Sequence, residues 1–120
     1  MSFAPRVMGP EARVLQQCKH LLRILERQGK VAFIRINVSA VPVRGGERFR
    51  PNPDMVGCSD LIIWVKSGPS LCVEVKAPGG KLSEAQRDFG ERILRAGHRY
   101  VVVTTFDDFV AILKFHGVEA

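Results

Sequence analysis

Cysteine is scarce in this chain of 120 residues, and long apolar runs are missing. The three cysteines, Cys18, Cys58 and Cys72, are odd in number and show no Cys-x-x-Cys spacing, which argues against a disulfide framework and against a zinc site. No apolar stretch approaches the length that spans a bilayer, and the first residues contain no apolar signal-peptide core. We therefore expect a cytoplasmic protein that has no membrane partner.

Acidic residues are also in short supply. Asp and Glu number 12 against 18 Lys and Arg, so the net charge is +6 at pH 7 and the sequence pI is about 9.7. This surplus favours a polyanionic partner, nucleic acid above all, although many small basic proteins bind none. The length and the hydrophobic content of 46% predict one domain over residues 1–120, with a modest core.

Two acids and a lysine lie near the ends of two apolar stretches, 61–66 and 71–76, which we predict to form a β-hairpin. Asp60 would lie at its open end, and Glu74 and Lys76 would share one face of the second strand because side chains two apart point the same way. Carboxylates suit Mg²⁺ or Mn²⁺, which polarise a phosphoryl oxygen and acidify a bound water. The pattern indicates phosphodiester hydrolysis, and the alternative is an ordinary Glu-Lys pair on a solvated face.

The remaining periodicities predict an α/β fold in which helices flank a mixed β-sheet, in the order α-β-β-β-α-β-α. The segment from 39 to 56 is too rich in Pro and Gly for a regular element. In chain order the predicted elements are helix 10–28 with the apolar stripe Leu15, Cys18, Leu22 and Leu25, strands 31–38, 61–66 and 71–76, helix 83–96, strand 100–104, and a last helix capped by Asp107 that ends near Phe115.

Two polar residues at helix starts are further site candidates. Glu11 begins the first helix on the side of its apolar stripe, although it could simply complement the helix dipole there. Ser83-x-x-Gln86 has the spacing of a capping box, in which Gln86 would only satisfy a backbone N–H.

Several basic residues are candidate phosphate contacts. The segment from 39 to 56 carries three arginines around Phe49, and the Phe49 ring could stack on a DNA base or wedge between bases. The alternative is a mobile basic loop with Phe49 in the core. Arg35 could lie on a strand face near the site. The candidate DNA-binding residues are Arg35, Arg44, Arg48, Arg50, Lys81 and Arg87.

These motifs together resemble the VRR-NUC (virus-type replication-repair nuclease) domain of the PD-(D/E)xK superfamily. The matching pieces are Arg35-x-Asn37, Gly57-x-x-Asp60 before an apolar strand, Glu74-x-Lys76, and a Gly-Lys-Leu-Ser segment at 80–83 that leads to Gln86. Ser59 stands where the superfamily name places a proline. The resemblance covers nearly the whole chain and implies a restriction-endonuclease-like core.

The resemblance also implies roles for individual residues. Asp60 and Glu74 would be metal ligands, with Val75 and Glu11 completing the set, and the metal would be Mg²⁺ or Mn²⁺. Lys76 would be the catalytic lysine, and Gln86 would belong to the active site. Gln17 is the fallback for the acid of the first helix.

The activity implied by the resemblance is structure-selective endonuclease cleavage of branched DNA such as four-way (Holliday) junctions, by a homodimer in a bacterial cell. The gene could belong to a phage or to a cellular genome, and the family name and the small isolated domain favour a phage. Exposed apolar residues such as Trp64 or Phe106 would permit dimerisation. The alternative is a nucleic-acid-binding or assembly module with the same fold that does not cut. The intact set of Asp60, Glu74 and Lys76 favours the nuclease, because a binder has no need to bury like charges together.

Overall fold

The structure is a computed structural model, and it describes residues 8–36, 41–42, 49–50 and 53–119. None of the helices in these ranges has the length and apolar character needed to span a membrane. The elements are α1 Pro10–Arg27, β1 Val31–Arg35, β2 Val41–Pro42, β3 Phe49–Arg50, β4 Leu61–Val65, β5 Leu71–Val75, α2 Glu84–Arg95, β6 Arg99–Val103 and α3 Phe106–Phe115, with one 3-10 turn at Pro53–Met55.

A mixed sheet with the strand order β1-β4-β5-β6 forms the centre of the fold. β4 runs antiparallel to β1 and β5, whereas β5 and β6 are parallel. All five residues of β5 are buried, as expected for a central strand that is covered on its two faces. Glu74 is the charged residue of this strand, and its carboxylate is buried among apolar neighbours.

One face of the sheet is covered by α1 and α3. The buried residues of α1 are the four of the predicted stripe, Leu15, Cys18, Leu22 and Leu25, and this prediction is confirmed. α3 adds Phe109 and Leu113 to the same core, which also includes Val73 and Val75 of β5. Cys72 and Glu74 alternate with those core residues and therefore point to the opposite face.

On that opposite face, a glycine brings α2 close to β6. A Cβ at Gly90 would lie 2.7 Å from Cδ1 of Tyr100, so any side chain there would collide with the ring. Phe89 meets the same ring edge-to-face, with centroids 6.0 Å apart. Glycine normally weakens a helix interior, and here the close approach requires it. As a result the first turn of α2 lies over Glu74.

The start of α2 is the predicted capping box. Ser83 Oγ accepts a hydrogen bond from Gln86 N at 3.1 Å, and Gln86 Oε1 accepts one from Ser83 N at 2.8 Å. These two reciprocal hydrogen bonds fix the Gln86 side chain at the N-terminus of the helix.

Two local predictions were wrong. The segment from 39 to 56 does contain regular structure, because Val41 and Pro42 pair antiparallel with Arg50 and Phe49, and a proline is tolerated in so short an edge ladder. The last helix is capped by Thr105, whose Oγ1 accepts a hydrogen bond from the backbone N–H of Asp108 at 3.1 Å. A threonine hydroxyl is a good N-cap acceptor.

Phe106 is not the exposed apolar residue that the sequence suggested. It is half-buried, packs against the core and stacks on Phe109 with ring centroids 6.5 Å apart. Trp64 is exposed as expected. The order of the longer elements is the predicted one, and their ends coincide with the prediction or differ from it by at most three residues.

Candidate active site

Asp60 ties together the ends of three strands. Its carboxylate Oδ2 accepts a hydrogen bond from the backbone N–H of Val75 at 2.7 Å, and its backbone carbonyl accepts one from Ile36 N at 2.8 Å. These bonds hold Asp60 at the start of β4 and beside the end of β5. The open end of the predicted hairpin is therefore where the sequence placed it.

Glu74 is a buried carboxylate that is only half satisfied. Its residue is 4% exposed, and Oε1 accepts a hydrogen bond from Gln86 Nε2 at 2.8 Å. Oε2 is buried and has no hydrogen-bond partner within the described parts of the chain. Because buried polar atoms nearly always find a partner, an orphaned carboxylate oxygen indicates a place for a cation or water.

The two carboxylates resist simultaneous ionisation. Burial raises the pKa of Glu74 to about 7, and the neighbouring Asp60 charge adds to this rise, while Lys76 opposes it. Burial also raises the pKa of Asp60, although the Val75 N–H and Arg35 favour its ionised form. A positive charge bound between them would remove this conflict.

Lys76 and Arg35 are cations whose charges favour the ionised forms of these carboxylates: Lys76 acts on Glu74 and Asp60, and Arg35 acts on Asp60. Lys76 follows β5, is half-buried and continues the parallel ladder, because its N–H donates to Val103 O at 3.0 Å. Arg35 ends β1 and donates from Nη1 to the carbonyl of Ile36 at 3.1 Å. Neither forms an ion pair with a carboxylate among the described residues, where the ion pairs are two on the surface of α2.

Asp60 and Arg35 together line two cavities. One of about 360 Å³ also contains Glu74, Gln86 and Cys58 in its wall. The other, of about 200 Å³, is lined by Glu11 and Val75 as well. Predicted site residues from α1, β1, β5 and α2, together with Asp60 just before β4, therefore line these two cavities.

Glu11 makes a tertiary contact beyond any effect on the helix dipole. Its Oε1 accepts a hydrogen bond from the backbone N–H of Ala77 at 3.0 Å, which joins the first turn of α1 to the residue after Lys76. Gln17 is exposed and lies about 9 Å further along α1, at 1.5 Å per residue. The geometry thus brings Glu11, and not Gln17, to the site.

The acids do not form a finished metal cage. The parts of the chain that the structure describes contain no group of three or more His, Cys, Asp or Glu side chains that could hold a metal ion. Asp60 and Glu74 are the carboxylates that face the larger cavity, and Glu11 borders the smaller one.

The predicted DNA contacts are dispersed. Lys81 and Arg87 are exposed before and within the first turn of α2, outside the walls of the two cavities around Asp60. Arg44 and Arg48 lie outside the described residues, as does Asn37, and only the backbone of Arg50 is described.

Two features near the site were not predicted as site elements. Gly57 has φ +82°, and a Cβ there would overlap the backbone carbonyl of Ala85, so the glycine lets the loop before Asp60 pack on α2. Ser59 is fully buried and donates from Oγ to Leu61 O at 3.1 Å. The Gly-x-x-Asp spacing was a sequence signal that could have identified Gly57 as a site element. No sequence signal predicted that the Ser59 hydroxyl is buried.

Comparisons with known proteins agree with this architecture. A family model described as the VRR-NUC domain matches residues 54–107, which include Asp60, Glu74, Lys76 and Gln86. A solved structure titled "VRR_NUC domain" has a TM-score of 0.58 and 23% identity, over 92% of this chain and 99% of that chain. At that identity the likeness shows the fold. Among curated proteins no significant match is found.

The fold and the matched segment define a nuclease-type α/β domain. Residues 54–107 match the VRR-NUC domain model, and over this segment the resemblance noted in the sequence is confirmed. Glu11 and Arg35 lie outside the residues that the family model matches, so their place at the site is a finding of the structure.

The raised pKa of Glu74 predicts a specific pH dependence of stability. Without metal, the folded protein keeps the proton between the ordinary pKa of 4.5 and about 7, whereas the unfolded chain loses it. The free energy of unfolding therefore falls as pH rises through this window, by ~1.4 kcal/mol per unit of pKa difference. Glu74→Gln should match the wild type at pH 4 and be more stable by a few kcal/mol at pH 8. Urea unfolding in EDTA measures this difference.

Glu91→Gln on the exposed surface of α2 is the control, since its exposed carboxylate forms a surface ion pair with Arg95. It should follow the wild type at all pH values. If Glu74→Gln also followed the wild type from pH 4 to 8, the carboxylate would not be the strained group that the structure indicates.

Proposed function

We propose that this chain is a metal-dependent, structure-selective DNA endonuclease that hydrolyses phosphodiester bonds in branched DNA such as four-way (Holliday) junctions. The observation that carries the proposal is the Glu74 carboxylate, which is buried near Asp60, has one oxygen without a partner among the described residues, and belongs to a residue that lines the cavity of about 360 Å³. A buried carboxylate in this state keeps a proton or binds a cation, and a divalent cation would let Glu74 and Asp60 ionise together. In this proposal, residues 1–120 form one domain of a cytoplasmic enzyme in a bacterial cell, and a phage encodes it.

The donor set fits Mg²⁺ or Mn²⁺. Mg²⁺ keeps several waters and is commonly held by one or two carboxylates together with substrate phosphate, so a third side chain is not required. Asp60 and Glu74 would hold the ion, and Val75 and Glu11, in the wall of the adjoining cavity, would complete its surroundings. The ion would supply Lewis acidity at the phosphoryl oxygen and lower the pKa of a bound water.

The residues of the chain supply the remaining chemistry. Gln86 holds Oε1 of Glu74, which leaves Oε2 as the oxygen available to a ligand. Lys76, close enough to favour ionisation of the two carboxylates, would orient the attacking water and assist its deprotonation. Arg35 lines the two cavities and would contact the substrate phosphate.

DNA as the partner is supported by the VRR-NUC match and by the net charge of +6. Backbone contacts would come from exposed basic residues around the cleft, which fix the position of the duplex without reading its sequence. The candidates are Lys81, Arg87, Arg44, Arg48 and Arg50.

A second candidate function is a recognition or assembly module that binds nucleic acid without cutting. The observation in its favour is the lack of a third metal-ligating side chain gathered at the site among the described residues. Cleavage assays separate it from the nuclease.

The proposed nuclease should cut labelled four-way junctions in Mg²⁺ or Mn²⁺ and should stop in EDTA. Lys76→Ala should lower the cleavage rate by at least ~10²-fold, the scale of a lost general acid or base, while leaving junction binding largely intact. Single-turnover cleavage of junction, flap, single-stranded and linear duplex DNA measures the rate and the selectivity together.

Lys19→Ala on α1 is the matched control, because it removes a lysine outside the site. It should cut at the wild-type rate. Normal cleavage by Lys76→Ala would remove Lys76 from the mechanism, and wild-type binding without cleavage in any metal would favour the recognition module.

The proposed enzyme acts as a homodimer, because cutting two paired strands of a junction requires two active sites. The sheet face that carries Trp64 and Ile34 leaves these side chains 45% and 47% exposed, and it is a candidate contact between copies. Analytical ultracentrifugation should show a dimer that Ile34→Glu converts to monomer. Leu94→Glu, an exposed apolar position on α2, should leave the dimer unchanged. A monomeric wild type would contradict this part of the proposal.

A further inference from the structure

A cavity of about 410 Å³ lies at the end of the sheet remote from the candidate active site. In the antiparallel register of β1 and β4, Val31 pairs with Val65 at this end and Arg35 pairs with Leu61 at the other. Asp60 precedes Leu61, so the cavity and the site occupy opposite ends of the same two strands. The charged residues in its wall are Lys30, Lys66, Lys114 and Glu119.

The charge of this cavity is strongly positive. Three ammonium groups, those of Lys30, Lys66 and Lys114, share it with the carboxylate of Glu119. Lys30 Nζ donates to the backbone carbonyl of Glu119 at 2.9 Å, and neither Lys66 nor Lys114 forms an ion pair with any residue that the structure describes. Among the described residues, the walls therefore carry three lysines against one carboxylate, a net charge of +2.

Local structure accounts for only part of this arrangement. Lys114 lies in the last turn of α3, where a cation complements the helix dipole. Lys30 lies just before β1 and Lys66 just after β4, so the helix dipole does not explain why they lie at the same cavity. Like charges brought together around a cavity repel one another, and an anion placed between them would relieve that repulsion.

We propose that this basic cavity binds the phosphodiester backbone of a DNA strand, as an anchoring contact separate from the active site. Lysine is a compact point charge that holds phosphate without reading base sequence. The cavity and the active site are separated by the four residue steps of β1, which is ~14 Å along the sheet. A DNA strand that contacts the cavity and the active site together must therefore extend over at least about four nucleotides. The identification of DNA as the ligand rests on the proposed function.

The anchoring contact affects affinity and not the chemical step. Lys66→Gln with Lys114→Gln removes two exposed charges and keeps Lys30, whose bond to Glu119 holds the end of the described chain. Fluorescence anisotropy with labelled junction DNA in EDTA, over a series of salt concentrations, should show a loss of affinity of about 10-fold or more. The slope of log affinity against log salt should fall by about two counter-ions.

Lys19→Gln with Arg23→Gln on α1 is the control, because it changes the net charge by the same amount at positions outside the cavity. It should leave the salt slope close to that of the wild type. An equal effect of the two double variants would show only a general charge effect and would overturn the anchoring contact.

Cleavage kinetics separate this inference from the proposed function. In a protein that cuts junctions, the Lys66 and Lys114 double variant should raise KM and leave kcat unchanged, and unchanged KM would overturn the inference alone. In a protein that binds but never cuts, a reduced salt slope of the double variant would support the contact while the nuclease proposal fails.

Discussion

The buried carboxylate of Glu74 is the constraint on which the rest of the site depends. It lies on β5, a central strand whose residues are all buried, where charge is tolerated only if nearby groups compensate it. Gln86 satisfies one oxygen and Lys76 offsets part of the charge, yet burial and Asp60 still raise the pKa to about 7. The compensation is incomplete in the protein alone, and this is the physical argument for a cation.

The surrounding scaffold serves to bring polar groups against this carboxylate. Glycine at position 57 lets the loop before Asp60 reach α2, and Gly90 lets α2 approach the ring of Tyr100 on β6. The capping box then fixes Gln86 over the strand. Motif residues that look like independent signals in the sequence are therefore parts of one packing arrangement around a single buried charge.

Features that depend on local periodicity could be predicted from the sequence. Alternation along β5 placed Glu74 opposite the core residues, and the spacing of Ser83 and Gln86 predicted their reciprocal hydrogen bonds. The cap of α3 could not be decided in this way, because Thr105 and Asp107 are both acceptable cap residues and the backbone path selects between them.

Features that depend on contacts between distant segments could not be predicted from the sequence. The bond from Ala77 N to Glu11, 66 residues apart, requires α1 to dock before it exists. The basic cavity likewise brings together lysines from two strand ends and a helix end.

The most direct test of the central claim is the pKa of Glu74, measured by carboxyl-carbon NMR without and with Mg²⁺. We expect a pKa of about 7 in the metal-free protein and a clear fall in this pKa when Mg²⁺ is added. Titration at the ordinary value of 4.5, or no response to Mg²⁺, would contradict it.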